Sequence, residues 1–171
     1  RAENRATLKS ICDNTAPSPL WKGSFVRMKG KTMATFGDRR AYRHQGKDVD
    51  HQTHLGVDIA SLRHAKVPAA NSGTVVFADN YGIYGNAVII DHGMGLMTLY
   101  GHLSAFSVQL GDQVARGQEV GKSGTTGLAG GDHLHFGVLL SGLPITPIEW
   151  WDSHWIRDNV ADRLPQVSKA Q

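Results

Sequence analysis

Glycine punctuation constrains this chain more than any other feature. Twenty glycines are spread through 171 residues, and from Phe25 onward they break the apolar sequence into short runs. Runs of about four to eight residues rich in β-branched and aromatic side chains suit strands and are too short for most helices. The pattern predicts strands near Phe25–Lys29, Lys31–Thr35, Leu55–Ala60, Gly73–Ala78, Asn86–Asp91, Leu96–Tyr100, Glu119–Lys122 and His133–Leu140. "DHGMG", Asp91 to Gly95, reads as a hairpin turn, and "YGIYGN" as a longer loop whose glycines accept positive φ. Helical character is expected only at the ends. "RAENRATLKSICDN" allows a short helix before Pro17 and Pro19 break it, and Pro147–Trp155 allows another. Trp150, Trp151 and Trp155 then read as packing residues. The expected organisation is an arm or linker over 1–23, one mainly β domain over 24–155, and a tail over 156–171. No solenoid repeat is visible.

Two connections are long for a compact β domain: Gly37 to Thr53 and Ser123 to Asp132. Long loops of this kind are commonly binding loops. Each leads into a histidine-bearing segment, at His54 and His133.

Composition narrows the chemistry. The formal charge is +3, mildly basic, which favours attraction to an anionic polymer such as nucleic acid or cell wall. No dense Lys/Arg block or nucleic-acid module is present, so no nucleic-acid partner is expected. No apolar run approaches the roughly 20 residues of a membrane helix. No signal-peptide pattern opens the chain, but it starts at Arg1, so this says nothing about a leader. Cys12 is the single cysteine; any metal must therefore be held by histidine and carboxylate.

Histidine patterning supplies the candidate site. In "GDHLHFGV", His133 and His135 are two apart, so a strand would show both on one face. In "THLGVDIA", His54 and Asp58 are four apart, with Gly56, Val57 and Ile59 arguing against a helix. A straight strand would hold their Cα atoms about 13 Å apart. Sharing one ion therefore requires a bend, and Gly56 is the cheapest place for it. Two imidazoles and one carboxylate suit zinc and leave one coordination position open. Such a centre acidifies water and polarises a carbonyl, while further imidazoles move the proton and stabilise the oxyanion. His102, in "LYGHLS", is available for that second role. Spacing alone does not choose between His133 and His135 as ligand.

"HLGVD", "LYGHLS" and "GDHLHF" together resemble the three signatures of the lysostaphin/LytM-type zinc endopeptidases, in order and at similar separations. "GTVVFADNYGIYGNAVIIDHG", "VQLGDQVARGQEVGKSGTTG" and "PITPIEW" extend the resemblance over roughly Phe36 to Trp150. It implies an antiparallel β-sheet with a groove, of the duplicated-hybrid-motif type, holding one zinc ion. By motif, His54, Asp58 and His135 are the implied ligands, and His102 and His133 the implied catalytic histidines. The implied activity is hydrolysis of peptide cross-links or stem peptides of bacterial peptidoglycan by a metal-activated water. That substrate lies in the periplasm or at the cell surface. One departure stands out: Gly137 follows Phe136 where the family often has an acidic residue, which should affect the groove or local packing and not the metal.

Other readings compete. A catalytically inactive relative that regulates wall hydrolases would have lost ligands, and all five positions are present. The segment around Lys122 is similar to a biotinyl/lipoyl hairpin, but no modification motif surrounds it and the histidines would have no purpose. A cupin-type site needs a glutamate where Ser141 and Gly142 stand. His51 is a second candidate in "HQTH", read as surface or substrate-contacting. His44, His64 and His154 read as surface residues (His154 also as packing), His92 as structural. Arg39, Arg40 and Arg43 read as a solvated basic cluster, with binding of an anionic wall fragment as the lesser alternative.

Overall fold

The computed structural model describes residues 8, 10–12, 14–44 and 47–163. Thirteen strands are present among them: β1 (Lys31–Ala34), β2 (Arg39–His44), β3 (Lys47–Thr53), β4 (Val57–Ala60), β5 (Lys66–Pro68), β6 (Gly73–Asn80) and β7 (Asn86–Asp91), followed by β8 (Leu96–Gly101), β9 (Ala105–Phe106), β10 (Gln113–Val114), β11 (Glu119–Lys122), β12 (Leu134–Leu140) and β13 (Leu143–Ile145). The principal sheet runs β1-β4-β12-β8-β7-β6-β10, with β13 added beside β12; β5-β11-β9 and β2-β3 form two smaller sheets. Every pairing is antiparallel. The fold is mainly β, as the glycine-punctuated runs predict.

Strand alternation divides the sheet's two faces. Leu134, Phe136 and Val138 of β12 point into the main core with Tyr100, Val88 and Ile90. The intervening positions face the other way, where Leu139, Met97, Leu99 and Ile89 form a second cluster. β8 is buried at every position, so it reads as a continuous apolar run. His135 lies on this second face, at the Asp58 end of β12.

The β7–β8 turn is tight. Gly93, Met94 and Gly95 all have positive φ, and Asp91 Oδ1 accepts from the Gly93 amide. The same carboxylate accepts from Thr15 Oγ1 at 2.6 Å, and its other oxygen from the Ala16 amide at 2.8 Å. Residues 14–23 are thereby seated on the domain, and Trp21 continues the contact against Phe25 and Trp150.

Three expectations are corrected. Gly37–Thr53 is not an irregular loop: β2 and β3 pair within it, Arg39 opposite Thr53 and His44 opposite Lys47. The backbone groups pair across a hairpin, and its charged run has no apolar alternation to mark the strands. Phe25–Lys29 forms no strand. Phe25 and Val26 donate to carbonyls of two unrelated segments, Trp150 and Ala70, so no ladder develops although Phe25 and Met28 are buried. Pro147–Trp155 is not one helix. A 3-10 turn at Ile148–Trp151 stops at Asp152, which is extended and caps α1 (Ser153–Asn159) through the His154 and Trp155 amides. The expected N-terminal helix is described only at residue 8 and at 10–12, which are helical; the second half of the 156–171 tail, beyond 163, lies outside the described residues.

Candidate metal centre

β4 and β12 are hydrogen-bonded neighbours, with His135 directly opposite Asp58. His54 precedes β4 in a non-strand segment. It is held by the hairpin's entrance, where its amide donates to the Asp38 carbonyl and its carbonyl accepts from the Gly37 amide. The bend expected between His54 and Asp58 is present, but Gly56 has a further reason to be glycine. A Cβ there would lie 2.5 Å from the Phe136 carbonyl oxygen and 2.7 Å from two atoms of the His135 ring. Only a residue without a side chain lets that ring approach.

Three ligand-type atoms converge. His54 Nε2 lies 2.9 Å from Asp58 Oδ1 and 3.0 Å from His135 Nδ1, which in turn lies 3.0 Å from Asp58 Oδ1. All three residues are buried. His54 Nδ1 is 2.8 Å from the Thr35 carbonyl, which can only accept, so the ring proton sits on Nδ1 and Nε2 offers a lone pair. The carboxylate oxygen also only accepts. With both imidazoles neutral, as metal ligation requires, at most one proton, on His135 Nδ1, can lie among the three atoms, a poor arrangement for an empty polar core and a good one for a cation. Tetrahedral zinc with bonds near 2 Å places its ligand atoms about 3.3 Å apart, so this set fits with a small expansion.

Electrostatics agree with that donor set. Burial pushes the Asp58 carboxyl up, but His135, His54 and the Arg40 guanidinium outweigh it and hold the group well below the usual carboxylate range. Burial pushes His135 down against the pull of Asp58, leaving a neutral imidazole. Burial also lowers His102 to about 4, partly opposed by the Thr126 carbonyl and reinforced by His133 and His135.

Two more imidazoles face the trio. The His102 and His133 rings are 4.7 Å apart, and His133 Nε2 is 3.7 Å from Asp58 Oδ1. His133 precedes β12, bridged to Gly124, yet it shares the face of His135 as the two-residue spacing predicts. His102 Nδ1 lies 2.8 Å from the Thr126 carbonyl and His133 Nδ1 2.8 Å from the Gly131 carbonyl. Both rings therefore carry a proton on Nδ1, and in the neutral tautomer each presents Nε2 as the acceptor. His102 holds this pose with φ +62, strained for a non-glycine residue. Beside the trio, a groove of about 660 Å³ runs along the second face of the sheet, its walls including Leu55, Tyr84, Leu99, Leu139 and Leu143. Gly137 lines it too.

Arg40 is the residue that sequence reasoning missed. It belongs to the cluster read as solvated, but its guanidinium contacts Asp58 Oδ2 at 2.6 Å and it lines the groove. Arg39 is exposed; the side chains of 42–50, Arg43 and His44 among them, lie outside the described part of the structure. His51 is exposed in β3 and is not one of the three converging residues. His154 is exposed. His64 is exposed but engaged with Ser104 and Ser123. His92 is fully buried at the β7–β8 turn, in the structural role expected of it.

Comparison with known proteins bears on this geometry. The sequence profile of Peptidase family M23 matches residues 52–147. DD-carboxypeptidase/endopeptidase Mpg of Neisseria meningitidis serogroup B is 42% identical over 95 residues, 56% of this chain and 22% of that protein. Peptidoglycan DD-endopeptidase ShyA of Vibrio cholerae is 40% identical over 96 residues, with the same two shares. Murein hydrolase activator EnvC of Escherichia coli is 29% identical over 143 residues, 83% of this chain and 32% of that protein. The matched part of this chain thus spans about a fifth to a third of the length of these curated relatives. Among solved structures, a zinc-containing peptidase from Vibrio cholerae superposes with TM-score 0.63 at 28% identity, covering 77% of this chain and 40% of that one. The catalytic domain of lysostaphin from Staphylococcus simulans gives 0.59 at 31%, covering 70% and 90%. The profile match spans more than half of the residues and includes both ends of the β4–β12 pair, and on that ground this chain belongs to peptidase family M23.

Proposed function

We propose that this protein is a zinc-dependent endopeptidase that hydrolyses peptide cross-links or stem peptides of bacterial peptidoglycan, in the periplasm or at the cell surface. Residues 24–155 would be the catalytic unit. The observation that carries this reading is the mutual 2.9–3.0 Å approach of one carboxylate oxygen and two imidazole nitrogens, all buried. His54, Asp58 and His135 would hold one zinc ion. When bound, zinc supplies a Lewis acid for the scissile carbonyl and acidifies water.

The chain's own residues do the rest. Thr35 fixes the His54 tautomer, and Arg40 occupies the second oxygen of Asp58 so that the first points at the two imidazoles. His102 and His133, each with Nδ1 pinned by a backbone carbonyl, present Nε2 for accepting a proton and returning it to the leaving amine. Protonated, either ring also donates to a developing oxyanion. The apolar groove along β8 and β12 binds an extended peptide and excludes water from its walls. Peptidoglycan as substrate draws on relatives named for it, ShyA above all.

A second reading follows from the likeness to EnvC, a hydrolase activator: a regulator acting through a protein partner. Retention of all five histidine and aspartate positions favours the enzyme. Metal analysis of purified protein and mass spectrometry of fragments released from purified walls decide between them. One zinc per chain and released peptides are expected. His135→Ala should lose both; His102→Ala should lose activity and keep most of the zinc. A His102→Ala variant with normal turnover would refute the assignment of that residue.

A further inference from the structure

His64 sits in the turn between β4 and β5 with φ +55, a conformation that glycine adopts freely and other residues resist. Its imidazole is not simply solvated. Nδ1 lies 2.9 Å from Ser104 Oγ and 3.2 Å from the Ser123 carbonyl, which requires the proton on Nδ1. Ser104 Oγ donates to the same carbonyl at 2.7 Å. The His64 amide donates to Asp132 Oδ2 at 3.1 Å, and Ser123 Oγ donates to Asp132 Oδ1 at 2.5 Å. The Ala65 amide donates to Ser123 Oγ and the Ser123 amide to the Ala65 carbonyl, so the turn is bonded on both sides.

The chain positions of these groups matter. Ser104 follows His102 by two residues, and Asp132 immediately precedes His133. The Gly124–His133 bridge begins one residue after Ser123. His64 therefore ties together, from behind, the two segments that present the facing imidazoles. A strained backbone persists only where its surroundings over-determine it. Here two side-chain contacts and one carboxylate do so.

We infer that His64, braced by Asp132, is a positioning residue that sets the spacing of His102 and His133. The inference rests on the catalytic reading of those two histidines. His64 touches neither the groove nor the converging trio, and acts only through the segments it joins. Its removal should loosen the facing pair without disturbing the residues that hold metal.

His64→Gly is the informative substitution. It relieves the strained φ and keeps the amide bond to Asp132, losing only the imidazole. A purely structural role predicts unchanged turnover. Positioning predicts kcat on a cross-linked muropeptide lowered about tenfold, KM within twofold, and one zinc retained. His64→Asn, which tolerates this φ and can donate to Ser104, should recover most of kcat. Amide hydrogen exchange gives a readout independent of activity. The His133 amide, which donates to the Gly124 carbonyl, should exchange about tenfold faster in His64→Gly, with β7 and β8 unchanged. Wild-type protein that released no peptide would overturn the catalytic reading, and the exchange result would then decide the brace alone. Unchanged exchange at His133, or unchanged kcat in a zinc-loaded His64→Gly, would overturn the inference.

Discussion

A single guanidinium separates what the residues announce from what they do. HxH, HxxxD and YGHL stand out in the sequence because each spacing has a chemical reading. Arg40 does not, because its partner Asp58 lies 18 residues away across a hairpin whose pairing no periodicity reveals. The carbonyls of Thr35 and Thr126, which fix two imidazole tautomers, carry no sequence signature either, since any residue has one. Ligating carboxylates held by a neighbouring donor lose metal affinity when that donor is removed, typically 10–100-fold. Arg40→Met should therefore weaken zinc binding within that range, measured by competition with a chromophoric chelator. An affinity within twofold of the unsubstituted protein would mean that the contact does not orient Asp58.

Elements were legible where their pattern was apolar and obscure where it was polar. β7 and β11 match their predicted bounds at both ends, because glycine or a turn residue flanks a run that burial favours. The β2–β3 hairpin escaped notice because charged residues dominate it and neither strand joins the main sheet. The break at Asp152 was equally hidden: the capping side chain is a good helix starter, and it divided a helical stretch into two. Close approach of β4 and β12 is the element-scale requirement of the site. Gly56→Ala forces the Phe136 backbone or the His135 ring to move by several tenths of an ångström or more. Overpacking of this kind costs about 1–3 kcal/mol. A thermal melt should show the destabilisation, and metal analysis should show reduced zinc; a variant with unchanged melting and full zinc would contradict this packing argument.

Stability of the whole molecule should depend on pH through its buried imidazoles. His92 is inaccessible, with Nδ1 2.7 Å from the Ser72 carbonyl and Nε2 2.8 Å from Thr98 Oγ1. Burial pushes its pKa down to about 4, against weaker opposition from Ser72 and Asp91. The unfolded chain takes up its proton near pH 6.5, the folded chain only near 4. The unfolded state therefore binds more protons between these values, and stability falls as pH drops from about 6.5 to 4. At about 1.4 kcal/mol per pH unit, His92 alone removes roughly 3 kcal/mol. Denaturant midpoints at pH 7.5 and 4.5 should converge in His92→Gln relative to the unsubstituted protein. An equal pH difference in both would exclude His92 as a source.

The hydrogen-bonded chain through His92 also answers a problem of misalignment. β7, β8 and β12 are buried almost throughout, on both faces. Sliding one of them by a residue would exchange one greasy surface for another, so hydrophobicity alone is a weak guard against it. The polar line is not so forgiving. From the Ala70 amide it passes through the Tyr100 and Thr98 hydroxyls to His92 and ends at the Ser72 carbonyl. A slip of β8 would turn both hydroxyls away and strand two donors or acceptors without water, at about 1–3 kcal/mol each. The misaligned sheet is thus penalised at its centre, and the alignment that survives is the one that sets His135 opposite Asp58.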